Sequence, residues 1–510
     1  MMILSTTKKI LLTGIALAFN VSLVNGQNKE AKISIDFSKT YQTISNFGAS
    51  DAWSCQFVGN WPDDKRNKIA DLLFSRDTYA DGSPKGIGLS LWRFNIGAGS
   101  AQQAEQSGIK DEWRRAESFL NNNGDYNWQN QAGQVWFLKA AKKRGVKQFL
   151  GFTNSPPVQF TINKKAYASG GKVNIAADQY DDFAAYLAKV VKGVEQVSKV
   201  NFDYISPINE PQWDWSDGGQ EGCPYNNTEI AGIIRSISKA FEAKKIGSKI
   251  LVGEAGSINY LFTAGDKPGK GNQINDFFKP GSANYIGSLP GVSKSIVAHS
   301  YFTTSPMPTA INARKALADN VTAIKGLDYW QSEYCILGDN AGEMDGSKRD
   351  LGIDAALYLA SVIHIDLTVA NASAWQWWTA ISAYDYKDGL IYVDKNKTDG
   401  NFYTSKMLWA MGNYSRFIKP GSVRIDANVS SSASKPLLVS AFKNGKNIVM
   451  VIVNPNADDV VAAFNTGNAK VQFTNSYLTS HSNELKVRKI DGSRTIIPSR
   501  SVITLTGLIK

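Results

Sequence analysis

The chain of 510 residues is poor in the side chains that bind metals or cross-link loops, with only three histidines and three cysteines (Cys55, Cys223 and Cys335). None of them stands at ligand spacing, which argues against zinc, and nothing in the sequence asks for an organic cofactor. Three cysteines allow one disulfide with a thiol left over; which two would pair, or whether any do, is not written in the sequence. Concentrated charge is also missing. The net charge of +11 is spread along the chain, and no cluster of basic and aromatic residues marks a nucleic-acid interface, so a solvated basic surface is the simpler reading. The stretch "AGDKPGKGN" (264–272) lacks the spacing and the hydroxyl of a phosphate loop and reads as a surface loop. Internal repeats and low-complexity tracts are absent. Nothing bears on oligomeric state.

Long apolar runs are scarce too. The one at the start follows Lys8 and Lys9, reaches about Val24 and gives way to small residues near Gly26. Its short core and polar sequel predict a cleaved signal peptide over 1–26 and a secreted or periplasmic protein. No cysteine stands at the cleavage point, so a lipid anchor is not indicated. No later window is long and apolar enough for a membrane span.

Aromatic residues are abundant, with 13 Trp and 20 Tyr. Most belong to packing. A minority on loops would suit sugars, whose apolar C–H faces stack on indole rings.

The periodicity divides the chain. "AKISIDFSKTYQTIS" alternates like a strand. From about residue 46, eight short apolar runs follow: "SNFGAS", "GLSLWRFNI", "KQFLGFT", "DYISPINE", "KILVGE", "SIVAHSY", "DYWQSEY" and "ASAWQWW". Amphipathic stretches such as "NTEIAGIIRSISKAFEAKKIG" lie between them. Eight strand–helix units predict an α/β fold, a closed (β/α)8 barrel over 46–414. A doubly wound open sheet would want a Gly-rich turn after an early strand, and none is convincing. Beyond 415 only short strands with turn residues remain, which predicts a β-sandwich over 415–510. The strand within 27–45 has no helix after it and is expected to join that sandwich, so the side domain is built from both chain ends.

In such a barrel the chemistry sits at the C-terminal ends of the strands. The eight runs place Asp51 and Trp53 there, then Arg93 and Asn95, Asn154, Asn209 and Glu210, Glu254, His299 and Tyr301, Glu333, and finally Trp377 and Trp378. Two carboxylates facing across a rim are the equipment of glycoside hydrolysis, one donating a proton and the other attacking the anomeric carbon. Glu210 on the fourth run and Glu333 on the seventh are that pair, with Arg93 expected to keep Glu333 ionised and Tyr301 able to bond it. Either glutamate alone would more simply be a buried ion pair or a helix N-cap contact; together, on the fourth and seventh of eight strands, the catalytic reading prevails. Glu254 reads as a salt bridge or a substrate hydrogen bond. His299 stands evenly between a satisfied rim histidine and a sugar contact, and His364 belongs to a helix. Trp378 is the expected floor under the reacting sugar, with Trp375 or Trp377 facing the helices.

"INEP", "WQSEYC" and "WRFNIGAG", together with the split sandwich, resemble glycoside hydrolase family 30, in the clan of retaining (β/α)8 enzymes, over essentially the whole mature chain. Within it, "RFNIGAG", "TNSPP" and "GGQEGC" (218–223) are most similar to the endo-β-1,6-galactanase branch. The resemblance implies Glu210 as acid/base, Glu333 as nucleophile, Asn209 on the sugar 2-hydroxyl, and Gln220 and Glu221 along the substrate cleft. Asp51 departs from that branch, where a neutral amide is usual. An acid there would hold the 4- or 6-hydroxyl of a terminal sugar, which keeps exo-β-galactosidase and β-fucosidase activities open beside β-1,6-glucanase and xylanase. The implied partner is a polysaccharide or oligosaccharide. A non-catalytic lectin on a degenerate barrel would have lost one glutamate or filled the rim, and a structural or adhesion protein has only the sandwich in its favour.

Overall fold

The computed structural model describes residues 29–490 and 492–510; the predicted signal peptide lies outside them. Strand β1 (Lys29–Thr43) leads directly into a closed barrel of eight parallel strands. These are β2 (Asn46–Ser50), β3 (Leu91–Asn95), β4 (Gln148–Phe152), β5 (Tyr204–Ser206), β6 (Lys249–Ala255), β7 (Val292–His299), β8 (Asp328–Glu333) and β9 (Ala374–Trp377). Each of the eight apolar runs supplies one of them. The barrel closes where Asn46, Phe47, Gly48 and Ala49 pair with Ala374, Trp375, Gln376 and Trp377.

Side-chain alternation explains why these runs are apolar and yet carry chemistry. On β3, Trp92 points outward against Phe74 and Phe137 of two surrounding helices, and Phe94 meets Phe119 and Phe202. Arg93, between them, points into the barrel and meets Glu333. Trp375 likewise faces out, its indole N–H donating to Asp366 of the helix Ile353–Thr368 at 2.9 Å. The helices bury stripes at three- and four-residue spacing. In Asn227–Ala243 these are Ile230, Ile233, Ile234, Ile237 and Phe241, and Asn226 and Glu229 close its start in a reciprocal capping box.

Three short strands, β10 (Ile381–Ser382), β11 (Ile391–Val393) and β12 (Phe402–Thr404), form a small sheet after the barrel. The remainder is β13 (Val423–Ser431), β14 (Leu438–Asn444), β15 (Asn447–Asn454), β16 (Val460–Asn465), β17 (Val471–Ser480), β18 (Asn483–Lys489), β19 (Arg494–Ile497) and β20 (Ser501–Ile509). With β1 they make one nine-stranded ladder in the order β18-β17-β20-β15-β14-β13-β1-β16-β19. β1 runs antiparallel to β13 and parallel to β16, so both chain ends build the domain. The ladder curls on itself: Ile33 and Ile35 of β1 share a core with Ile448, Met450 and Ile452 of β15, although two strands intervene.

The alternate residues Val449, Val451 and Val453 belong to the barrel's core instead. Polar bonds fix the same junction. Asn413 of the helix Lys406–Ser415 donates to Thr504 Oγ1 at 2.9 Å, and the Thr504 hydroxyl donates back to the Asn413 carbonyl at 2.6 Å. The strand-rich domain is thereby a buttress on one flank of the barrel.

Cys55, Cys223 and Cys335 are all free and buried, so no disulfide forms among them.

Candidate active site

The C-terminal ends of the barrel strands surround a cavity of about 430 Å³. Glu210, Glu333, Asn209, Gln220, Tyr301 and Trp378 line it with Trp213, Trp215, Phe302, Tyr334 and the 337–340 loop. A carboxylate oxygen of Glu210, one of Glu333 and a ring nitrogen of His299 lie within 4.8 Å of one another. That closeness is in keeping with the ~5–5.5 Å between carboxyl groups of retaining glycosidases.

Glu333 ends β8 with three donors around it. Arg93 bonds Oε2, the Tyr301 hydroxyl donates to Oε1 at 3.2 Å, and His299 Nδ1 is 3.4 Å from the same oxygen. Burial, the largest influence, pushes its pKa up, and the positive charges of His299 and Arg93 oppose that. Arg93 is itself held by the Phe152 ring, 3.9 Å from the guanidinium carbon, and by Asn209 Oδ1 at 3.4 Å. Glu210 sits just beyond β5 with φ +43°, in the left-handed region that non-glycine residues rarely occupy. Its backbone N–H donates to the Glu254 carbonyl at 2.8 Å, and its own carbonyl accepts from the Trp215 indole at 3.0 Å. The strained turn is over-determined by these bonds and aims the carboxylate into the cavity.

His299 links the acids from below. Nδ1 meets Glu210 Oε1 at 2.9 Å and Nε2 meets Glu254 Oε2 at 2.8 Å. Burial opposes its charge, but Glu333, Glu210 and Glu254 outweigh that and raise its pKa to about 10, so it is an imidazolium at neutral pH. With no exposure and both nitrogens bonded, it is the satisfied rim histidine of the two readings. The Glu210–His299–Glu333 trio is close enough to share a cation; with the ring protonated it is an acid–imidazolium–acid network.

Glu254 is the salt-bridging acid the sequence suggested, 3.5 Å from Arg93 and 2.8 Å from His299. It is fully buried, also at positive φ (+45°), and accepts from Ser206 at 2.8 Å and Ser332 at 2.6 Å as well as from His299. Although burial works against its charge, Arg93 and His299 bring its pKa down to about 2. It is a buried anion that anchors the imidazolium; its position at the end of the fifth apolar run was the signal available.

The other expected site residues divide. Asn209, Gln220, Tyr301 and Trp378 line the cavity. Trp53 lies behind, edge-on to Trp378 at 5.1 Å between ring centres. Asp51, Asn95 and Asn154 are buried, with Asp51 Oδ2 and both side-chain amides of the asparagines unpartnered. Asp51 Oδ1 accepts from the Asn95 backbone at 2.7 Å and Gln134 at 3.3 Å. Burial nonetheless pushes its pKa up to about 8, so this acid is neutral at pH 7. Glu221 does not line the cleft. Fully buried, it accepts from Ala98 N at 2.9 Å, Ser100 N at 3.2 Å and the Ser100 hydroxyl at 2.5 Å, bracing the loop after β3. Its neighbour Gly222 packs so closely on the Trp215 ring that a Cβ would collide with it. "GGQEGC" is therefore largely a scaffold for the loop behind Glu210. His364 is half-buried within the helix Ile353–Thr368.

Facing carboxylates at this distance, over aromatic walls at the rim of a (β/α)8 barrel, suit the cleavage of glycosidic bonds, and together they define a glycoside hydrolase acting on carbohydrate. The model of O-glycosyl hydrolase family 30 matches residues 30–392, and the chain belongs to that family. The retaining mechanism is characteristic of its clan. An endo-β-1,6-galactanase of Hypocrea rufa is 23% identical over 408 residues, covering 77% of this chain and 75% of that one. Glucuronoxylanase XynC of Bacillus subtilis (strain 168) is 24% identical over 377 residues, 72% and 74% of the two chains. Among solved structures, a conserved exported protein of Bacteroides fragilis superposes with a TM-score of 0.85 at 34% identity, covering 93% of this chain and 99% of that one. Among the described residues no helix is long and apolar enough to cross a membrane.

Proposed function

We propose that the protein is a secreted or periplasmic endo-β-1,6-galactanase in which Glu333 is the nucleophile and Glu210 the acid/base. The observation that carries the catalytic assignment is the asymmetry of the pair. Glu333 is held by Arg93 and Tyr301, as a carboxylate that must stay anionic would be, whereas Glu210 faces it with only the imidazolium as side-chain partner. In the first step Glu333 attacks the anomeric carbon while Glu210 gives its proton to the departing oxygen. In the second, Glu210 takes a proton from water, whose oxygen displaces Glu333 from the same carbon. Asn209 is suited to bond the 2-hydroxyl and Trp378 to underlie the ring. Buried polar groups ordinarily have partners; Asp51, Asn95 and Asn154 keep open polar atoms but do not line the cavity as it stands. Gln220 stands at the rim, on the path of a longer chain.

The galactanase reading draws on the Hypocrea rufa relative and on "RFNIGAG", "TNSPP" and "GGQEGC". Export is supported by the N-terminal pattern and by the Bacteroides fragilis relative described as exported. A second reading rests on Asp51: an acid able to hold a terminal sugar favours exo cleavage of β-galactosides or β-fucosides. The test is a time course of products from debranched β-1,6-galactan. A ladder of shortening oligomers is expected. Monosaccharide alone would turn the assignment to the exo reading, and no cleavage would send it to β-glucan, xylan or β-fucoside.

A further inference from the structure

Beside the catalytic cavity lies a second hollow of about 410 Å³, and the two share Trp213 and Phe302. Its far wall is the segment after β6: Asn259, Tyr260, Thr263 and Asp266, the last within the "AGDKPGKGN" loop. Three aromatic rings meet here. Trp213 stands edge-on to Tyr260 at 6.0 Å and to Phe302 at 5.8 Å. Phe302 is 81% exposed and holds φ +62°, so a large apolar side chain is kept in water by a backbone conformation that costs free energy. Packing explains neither feature. Trp213 lies so tightly on Gly256 that a Cβ there would collide with its indole, so its position is set by the backbone. The polar groups around the rings, Asn259 and the Asp266 carboxylate that accepts from the Tyr260 hydroxyl at 2.8 Å, are of the kind that bond hydroxyls.

We infer that this hollow is a sugar-binding site for units of the glycan beyond the bond that is cut, on the leaving-group side. The side follows from the acid, and in this the inference rests on the proposed role of Glu210. Trp213 is three residues past it, and its N–H donates to the Glu210 carbonyl at 3.2 Å. The residue that protonates the departing oxygen stands next to the departing chain, and the shared Trp213–Phe302 wall carries that chain from one hollow to the other. The protein therefore gains rate from extended substrates, and one stacked sugar is worth about tenfold in kcat/KM, or ~1.4 kcal/mol.

The experiment compares kcat/KM for β-1,6-galacto-, β-1,6-gluco- and xylo-oligosaccharides of two to six units in the wild type, Tyr260→Ala and Phe302→Ala, each normalised to an aryl β-glycoside of the same sugar. The wild type should gain steadily with length, and each variant should lose about tenfold of that gain. Tyr260 is buried and its variant could misfold, in which case Phe302→Ala decides alone. A wild type indifferent to length, or a Phe302→Ala enzyme with the full gain, overturns the site while leaving the catalytic reading intact. A wild type that cleaves neither the oligosaccharides nor the aryl glycosides overturns the proposed function itself.

Discussion

Replacing Glu254 by glutamine tests the buried network under the catalytic pair without touching the cavity. In the folded protein the Glu254 pKa falls from 4.5 to about 2, which at ~1.4 kcal/mol per pH unit is ~3 kcal/mol. Because the folded value is the lower one, this stabilisation is complete above pH 4.5 and is lost as the pH drops toward 2. His299 rises from 6.5 to about 10, ~5 kcal/mol by the same conversion; that contribution is complete below pH 6.5 and is lost between there and 10. The two overlap in the hydrogen bond they share, while Arg93 also lowers Glu254 and Glu333 and Glu210 also raise His299, so they do not add. Glu254→Gln should therefore destabilise by about 3–5 kcal/mol, as expected for one partner removed from a buried ion pair. It should also leave His299 with fewer anions, so the alkaline limb of kcat/KM moves to lower pH. Urea unfolding at pH 7 and a pH–rate profile measure both effects. Unchanged stability with an unchanged alkaline limb would refute the network.

Three further outcomes are expected. Glu221→Ala leaves the Ala98 and Ser100 N–H groups without their acceptor, which should cost about 1–3 kcal/mol for each; a urea midpoint equal to wild type would restore Glu221 to the cleft. Asp51 carries the opposite sign to Glu254: with a folded pKa of about 8 against 3.8, it lowers stability as the pH rises through that window, so thermal scans from pH 4 to 8 should decline more steeply for wild type than for Asp51→Asn. With all three thiols buried, a thiol reagent should find none in the native protein and three in guanidinium, and a reactive native thiol would contradict the packing around Cys55, Cys223 and Cys335.

The barrel was legible because parallel strands buried on both faces appear as short apolar runs, and all eight are where those runs lie. Glu210, Glu333 and Arg93 were legible for the same reason: in a barrel, strand ends converge. What escaped depends on contacts far apart in sequence. Glu221 meets Ala98 and Ser100 more than a hundred residues away, so a rim contact and a loop brace look alike in "GGQEGC". His299 is decided between sugar contact and satisfied rim histidine by Glu210 and Glu254, 89 and 45 residues off. Beyond 415 six stretches read as strands, "SVRIDANV", "PLLVSAFK", "NIVMVIVN", "KVQFTNSYL", "NELKVRKI" and "SVITLTGL", and they became β13, β14, β15, β17, β18 and β20, while β16 and β19 went unread. Arg494–Ile497 is a four-residue edge strand, and such edges are short and polar because that blunts them against aggregation.

The central claim is that Glu333 forms the covalent bond to sugar. Its most direct test is mass spectrometry of peptides after treatment with a 2-deoxy-2-fluoro β-glycoside bearing a good leaving group, in the sugar series the wild type cleaves. The account predicts one glycosyl ester, on Glu333, that accumulates further in Glu210→Gln, where water is not activated, and is absent from Glu333→Gln, which should not turn over. A label on another residue, or turnover retained in Glu333→Gln, would contradict it.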